Sequence, residues 1–154
     1  MSIVEFISGP DRREAIARQV LEALPDWFGI AESREAYIRE SRVQPFWAEV
    51  EDGMARGFLT LKETSPYTAE IAVMGVLPEY HRQGAGRALF AAFRKYAKER
   101  GYAFLQVKTV REGCYASYDK TNAFYRSLGF RELECFPTLW DEWNPCQVFV
   151  MAVR

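Results

Sequence analysis

The chain has 154 residues, with a hydrophobic share of 49% and a charged share of 27%, the profile of one globular domain with enough apolar residues for a core. A formal net charge of -1 without a basic run argues against a nucleic-acid binder, no apolar run is long enough to span a membrane, and no signal-peptide pattern opens the sequence. Three cysteines at no metal spacing (Cys114, Cys135, Cys146) and one histidine, His81, argue against a metal site and for reduced thiols, so the expected compartment is the cytoplasm.

Ile3 to Ile7 reads as a first strand, broken by Gly9-Pro10-Asp11. From Arg12 to Leu24 the residues Ile16, Val20 and Leu24 recur at helical spacing. Pro25-Asp26-Trp27-Phe28-Gly29 ends that helix in an aromatic loop, and Ser33 is placed to cap a second helix reaching about Arg42. Phe46 to Glu51 and Arg56 to Lys62 form a hairpin around Glu51-Asp52-Gly53, and Ser65-Pro66 marks a further turn. Glu70 to Leu77 is largely apolar and therefore central in a sheet, with Gly75 as the expected site of a bulge.

After this strand comes Glu79-Tyr80-His81-Arg82-Gln83-Gly84-Ala85-Gly86-Arg87, a short loop with two glycines at the mouth of a helix. Glycine allows close backbone approach, and the first amides of a helix lack internal partners and favour negative charge. The loop is thus a cradle for phosphate or pyrophosphate, flanked by Arg82 and Arg87. A dinucleotide fingerprint needs a third glycine where Leu89 stands, and a nucleoside-triphosphatase loop needs Lys-Ser/Thr where Arg87-Ala88 follows.

The helix from Gly86 to Arg100 carries Leu89, Phe93, Tyr96 and Ala97 on one face and stops at Gly101. Phe104 to Val110 is the next strand, Glu112-Gly113 opens a loop, and Tyr118 to Leu128 is a helix stopped by Gly129. Phe130 to Phe136 and Gln147 to Val153 are the last strands, joined by an aromatic and polar loop from Pro137 to Pro145. Strands alternating with helices in the second half imply parallel pairing there, and the early hairpin implies antiparallel pairing. The expectation is a mixed α/β (α+β) single domain over residues 1–154. Its central sheet is mainly antiparallel, six- or seven-stranded, with helices on both faces.

The segment His81-Arg82-Gln83-Gly84-Ala85-Gly86 resembles the pyrophosphate loop Gln/Arg-x-x-Gly-x-Gly/Ala of the GNAT superfamily of acyl-CoA-dependent N-acetyltransferases, departing at His81. Phe124-Tyr125-Arg126-Ser127-Leu128-Gly129-Phe130 is similar to the family's Leu-Tyr-x-x-x-Gly-Phe segment, and the element order matches over nearly the whole chain. The resemblance implies a sheet splayed between the fourth and fifth strands, with acetyl-CoA in the opening and its pyrophosphate on the amides of Gln83, Gly84, Ala85, Gly86 and Arg87, with Arg82 beside them. It implies Glu70 as general base acting through water, the Met74 amide as donor to the thioester carbonyl, and the Val76 backbone as partner of the pantetheine amides. Tyr125 becomes the acid that protonates the departing thiolate. Tyr118 stands where the family often has asparagine, and either contacts the pantetheine or closes the acceptor cleft.

The family's acceptor walls correspond to Trp27 and Phe28 and to Trp140 through Asn144, where Asp141, Glu142 and Glu32 are acidic and the rings suit a cationic amine. The expected activity is transfer of acetyl from acetyl-CoA to a primary amine, by direct attack in a ternary complex. A small-molecule acceptor is favoured over a protein lysine or N-terminus, and an acyl group longer than acetyl stays open. The rival class is a non-catalytic acyl-CoA sensor, against which the presence of both Glu70 and Tyr125 argues. A homodimer is compatible with the family's habits and the aromatic C-terminal segment.

Overall fold

The computed structural model describes residues 2–154. It is built on a seven-stranded sheet in the order β1-β2-β3-β4-β5-β7-β6. The strands are β1 (Ile3–Phe6), β2 (Phe46–Glu51), β3 (Met54–Ser65), β4 (Thr68–Val76), β5 (Phe104–Val110), β6 (Arg131–Asp141) and β7 (Asn144–Ala152). Every neighbouring pair is antiparallel except β4–β5. The helices are α1 (Pro10–Glu22), α2 (Pro25–Phe28), α3 (Ala31–Ser41), α4 (Ala85–Glu99) and α5 (Ala116–Leu128). Among the described residues, no helix is long and apolar enough to cross a membrane.

Two cores hold the helices to opposite faces, as the binary pattern requires. On one face, Ile16, Val20 and Leu21 of α1 and Ile38 of α3 pack on Phe46, Phe58 and Val73. On the other, Leu89, Phe90 and Phe93 of α4 and Tyr125 of α5 pack on Leu59, Ile71, Leu105 and Phe149. Each fully buried large side chain contributes about 1.5–3 kcal/mol, so α4, with Leu89 and Phe93 both sealed from solvent, is firmly seated.

The structure bears out the mixed sheet, the two helical faces and the stops of α4 and α5 at Gly101 and Gly129. Several local expectations are corrected. The aromatic segment after α1 is itself a helical turn, α2, because Pro25 presets the first helical angle and the Phe28 N–H reaches the Leu24 carbonyl at 2.9 Å. Ser33 therefore lies inside α3, whose N-cap is Ile30. The segment from Pro137 to Pro145 is not an open loop but the tip of the β6–β7 hairpin, turning at Glu142-Trp143. The Asp141 carboxylate pins that turn by accepting from the backbone N–H groups of Trp143 and Asn144, both at 2.9 Å. Pro137 is tolerated because β6 is an edge strand with no further ladder to supply. Finally, β5 and β6 do not pair, because β7 inserts between them.

The feature that positions the site is the junction of β4 and β5. Their pairing runs from Thr68↔Phe104 to Ile71↔Val107 and ends there, although β4 continues to Val76 and β5 to Val110. The sheet therefore opens between the fourth and fifth strands. The irregularity that accompanies this opening lies at Ala72, where Thr60 pairs with Val73 but Leu61 with Ile71. It is not at Gly75, whose role is steric. A Cβ there would lie 3.0 Å from both Leu24 Cδ1 and Val20 Cγ1, so a side chain at this position would press on the ends of both.

Candidate active site

The opened strand presents backbone to the gap. The Leu77 N–H bonds to the Arg56 carbonyl at 2.8 Å, so Leu77 faces β3, and alternation turns the peptide groups of Val76 and Met74 the other way. The Val76 carbonyl is indeed reached from the open side, by His81 Nε2 at 2.7 Å. The Met74 N–H shares that orientation, so a carbonyl in the gap would meet a donor fixed in the strand.

At the end of β4 the chain makes a 3-10 turn, Pro78–Tyr80, and enters the glycine loop. A buried ion pair steadies this turn. Arg56 bonds through Nε to Glu49 Oε1 at 2.6 Å and stacks its guanidinium over the Tyr80 ring, 4.6 Å from the centroid. Arg82 and Gly84 take positive φ angles of 62° and 84°, and Gly84 is the N-cap of α4 with no side-chain cap of its own. The first-turn amides of a four-turn helix are thus left for an external acceptor. Gly86 makes room for its neighbours: a Cβ there would fall 2.8 Å from Phe124 Cζ and 3.1 Å from Met74 Cε, so those side-chain ends would have to shift. Arg87 reaches across to Ser127 Oγ at 2.9 Å, while Gln83 donates to the Glu79 carbonyl at 3.2 Å.

These elements wall a cavity of about 820 Å³, open at one side, which runs from the glycine loop along the gap to the ring-lined end. Arg82, Gly84, Ala85, Gly86 and Arg87 line it at one end and Met74 and Val76 along its length. Gln83 does not line it. Tyr118 and Tyr125 of α5 both do. Tyr118 donates its hydroxyl to the Trp27 carbonyl at 2.9 Å, and burial raises its pKa to about 12. Tyr125 lies deeper, against Phe130 and Phe149, and burial holds its hydroxyl well above the ordinary phenol range. Both tyrosines are protonated at neutral pH.

Trp27 also gives its indole N–H to Thr121 Oγ1 at 3.0 Å. With the Tyr118 bond, this straps α2 to α5 across the cavity. Trp27 further sets its ring edge-on to His81, with centroids 5.9 Å apart.

Glu70 is buried on the α1–α3 face and is not part of the cavity wall. Its Oε1 accepts from Gln106 Nε2 at 3.2 Å and lies 3.3 Å from Lys108 Nζ, so Oε2 is the oxygen left to take a proton. Lys108 does line the cavity. Cys146 shares this neighbourhood, fully buried, and burial pushes its thiol up to about 11, so it is no thiolate nucleophile at neutral pH.

Of the ring-lined end, Trp27, Phe28 and Trp140 border the cavity, joined by Tyr37 of α3. Asp141 does not; its carboxylate is committed to the hairpin turn. Lys108, Gln106, Tyr37 and Thr121 escape a sequence reading. Gln106 and Lys108 left one trace, as two polar residues alternating with the apolar Leu105 and Val107. Tyr37 looks like ordinary apolar helix surface, and Thr121 carries no signal. Among the described residues, no cluster of three or more metal-ligating side chains occurs.

The sequence matches the family model described as an acetyltransferase (GNAT) domain over residues 41–132. Solved structures share the fold along the whole chain. A GNAT-family protein from Desulfovibrio desulfuricans superposes with a TM-score of 0.84 at 18% identity, covering 100% of each chain. The ribosomal-protein-S18-alanine N-acetyltransferase from Escherichia coli gives a TM-score of 0.76 at 20% identity, covering 99% of this chain and 94% of its own. An aminoglycoside 6'-N-acetyltransferase complexed with coenzyme A gives 0.77 at 15% identity, covering 99% and 97%. No curated protein matches the chain in sequence.

Proposed function

The chain belongs to the GNAT acetyltransferase family, and from that premise we propose that it transfers an acetyl group from acetyl-CoA to the primary amine of a small molecule, by direct attack in a ternary complex. One observation carries this reading. The uncapped amides of α4 and the outward-turned peptide groups of Met74 and Val76 lie on consecutive segments, β4 and α4, and border one cavity. A thioester with a pyrophosphate tail fits both. The helix end and Arg82 and Arg87 suit the pyrophosphate, and the strand suits the pantetheine arm.

The reacting end follows from the chain's own groups. An amine of ordinary pKa is protonated at neutral pH and must lose a proton before it attacks. Glu70 takes that proton through water, because Ile71 and Lys108, not Glu70 itself, form the wall. The Met74 N–H holds the carbonyl oxygen as the N–C bond forms and the C–S bond breaks. Tyr125, protonated at neutral pH as any phenol is, gives its proton to the departing thiolate. Cys146, protonated and sealed from solvent, supports direct attack over an acyl-enzyme. The strap between Trp27 and α5 narrows the acceptor end and favours a small molecule. All three cysteines are free thiols, in keeping with a cytoplasmic setting.

The test is release of free thiol from acetyl-CoA against a panel of amines, amino acids and peptides, run beside calorimetric CoA binding. Amine-dependent release is expected. CoA binding without release for any acceptor would favour a sensor, and no CoA binding would remove the reading.

A further inference from the structure

The cavity's charge carries an inference about the acceptor that rests on the transferase reading above. We propose that the acceptor is an amine bearing both a carboxylate and an apolar body, in the manner of a free aromatic or aliphatic amino acid, and that Lys108 selects it.

Among the described residues, the ionised side chains lining the cavity are Arg82, Arg87, Lys108 and Lys120; no aspartate or glutamate lines it. Arg82 and Arg87 stand at the mouth of α4, and Lys120 lies exposed on α5. Lys108 is different. It extends from β5 toward the face occupied by α1 and α3, where it meets Glu70. Its ammonium carries three donors and forms an ion pair with Glu70 Oε1 at 3.3 Å, an oxygen that accepts its hydrogen bond from Gln106. The side chain remains 34% exposed, against 7% for Glu70. A cation with free donors therefore faces the acceptor end, held in place by a buried carboxylate behind it.

The walls also include Trp27, Phe28, Tyr37 and Trp140, surfaces for an apolar body. A polyamine or aminoglycoside would bring additional ammonium groups past Lys108 to a wall with no counter-ion, and ring faces alone do not replace lost hydration. An acceptor carboxylate finds Lys108, and charge complementarity then fixes which end of the molecule points away from the thioester.

The test uses two matched pairs, phenylalanine with phenethylamine and leucine with isopentylamine, together with spermidine. Each is titrated calorimetrically into the CoA-saturated protein and assayed with acetyl-CoA by thiol release. The better amino acid should bind about tenfold tighter than its decarboxylated partner and show the higher kcat/KM. Lys108→Gln should bring the pair within about twofold, and Lys108→Arg should retain the gap. Should Lys108→Gln not fold, the joint replacement Lys108→Met with Glu70→Met removes both charges of the pair and carries the same expectation for binding. Preference for the decarboxylated amines or spermidine overturns the proposal and leaves the transferase standing. Carboxylate-dependent binding without thiol release overturns the proposal, because a ligand that is not acetylated is no acceptor. Absence of binding and turnover for all five overturns it.

Discussion

The two ends of the cavity are built from different materials. The glycine-loop end is mostly backbone: a helix mouth, two outward-turned peptide groups on β4, and a glycine that lets α4 approach Met74 and Phe124. It is fixed by neighbours in sequence and by the buried face of α4. The ring-lined end is built from side chains brought from α2, α3, β5 and the β6–β7 hairpin. It is held by single hydrogen bonds such as Trp27 to Thr121, and its outer wall includes Trp140, 44% exposed. Backbone geometry gives a site for a ligand part that never changes, whereas a convergent set of side chains can be altered one at a time. The comparison predicts that substitutions at the first end damage cofactor binding, and at the second acceptor binding.

The largest effect is expected where backbone approach is tightest. Gly86→Val places a branched side chain into the space 2.8 Å from Phe124 Cζ and 3.1 Å from Met74 Cε. Overpacking of this kind costs about 1–3 kcal/mol, here directed at the α4 mouth, so CoA affinity should fall about a hundredfold by calorimetry. Near-normal affinity in a folded variant would show that the amides of α4 do not hold the ligand.

The reacting centre comes next. Glu70→Gln should lower turnover at neutral pH by about tenfold or more and recover in part at high pH, where the free amine needs no base. Equal loss at every pH would take the base role from Glu70. Tyr125→Phe should lower kcat by about tenfold while calorimetric CoA affinity changes little, since only the hydroxyl is removed from a buried ring. An unchanged kcat would leave Tyr125 as packing.

The same contrast explains what the sequence disclosed. The glycine loop, α4 and the segment from Phe124 to Phe130 are local patterns, and the structure places them as expected. The opening of the sheet was implied by resemblance, but its bulge was expected at Gly75 and lies at Ala72, whereas Gly75 stays in register with Phe58 and makes room for Val20 of α1 and for Leu24 just beyond it. At the other end, Trp27 and Phe28 read as a loop because four residues carry no helical period, and the hairpin tip read as a loop because Pro137 hides an edge strand. Asp141 looked like an attractant for amines until its carboxylate was seen closing the turn. Lys108 stayed hidden because its meaning depends on Glu70, which β4–β5 pairing alone brings near.

A milder change tests the strap. Trp27→Phe keeps a ring against the cavity but loses the indole donor to Thr121. A neutral hydrogen bond contributes about 1 kcal/mol, so the acceptor KM should rise about threefold to fivefold with CoA affinity unaltered. Equal losses for both ligands would mean that the strap supports the whole cavity and that the two ends are not independent.

The smallest effect is expected at His81, which touches both ends. His81 bonds the Val76 carbonyl through Nε2 at 2.7 Å and meets the edge of Trp27. In the proposed complex that carbonyl accepts from a pantetheine amide, so the imidazole must first leave. His81→Ala removes the competitor, and losing one bond of about 1 kcal/mol from the free state should tighten CoA binding about fivefold. The acceptor KM should rise only slightly, since an edge-on aromatic contact adds about 0.5–1.5 kcal/mol and Trp27 keeps both of its hydrogen bonds. Calorimetry of CoA at fixed pH decides it. Weaker CoA binding in the variant would mean that His81 stays beside the bound arm and adds to its grip, and the histidine at the family's Gln/Arg position would then belong wholly to the cofactor end.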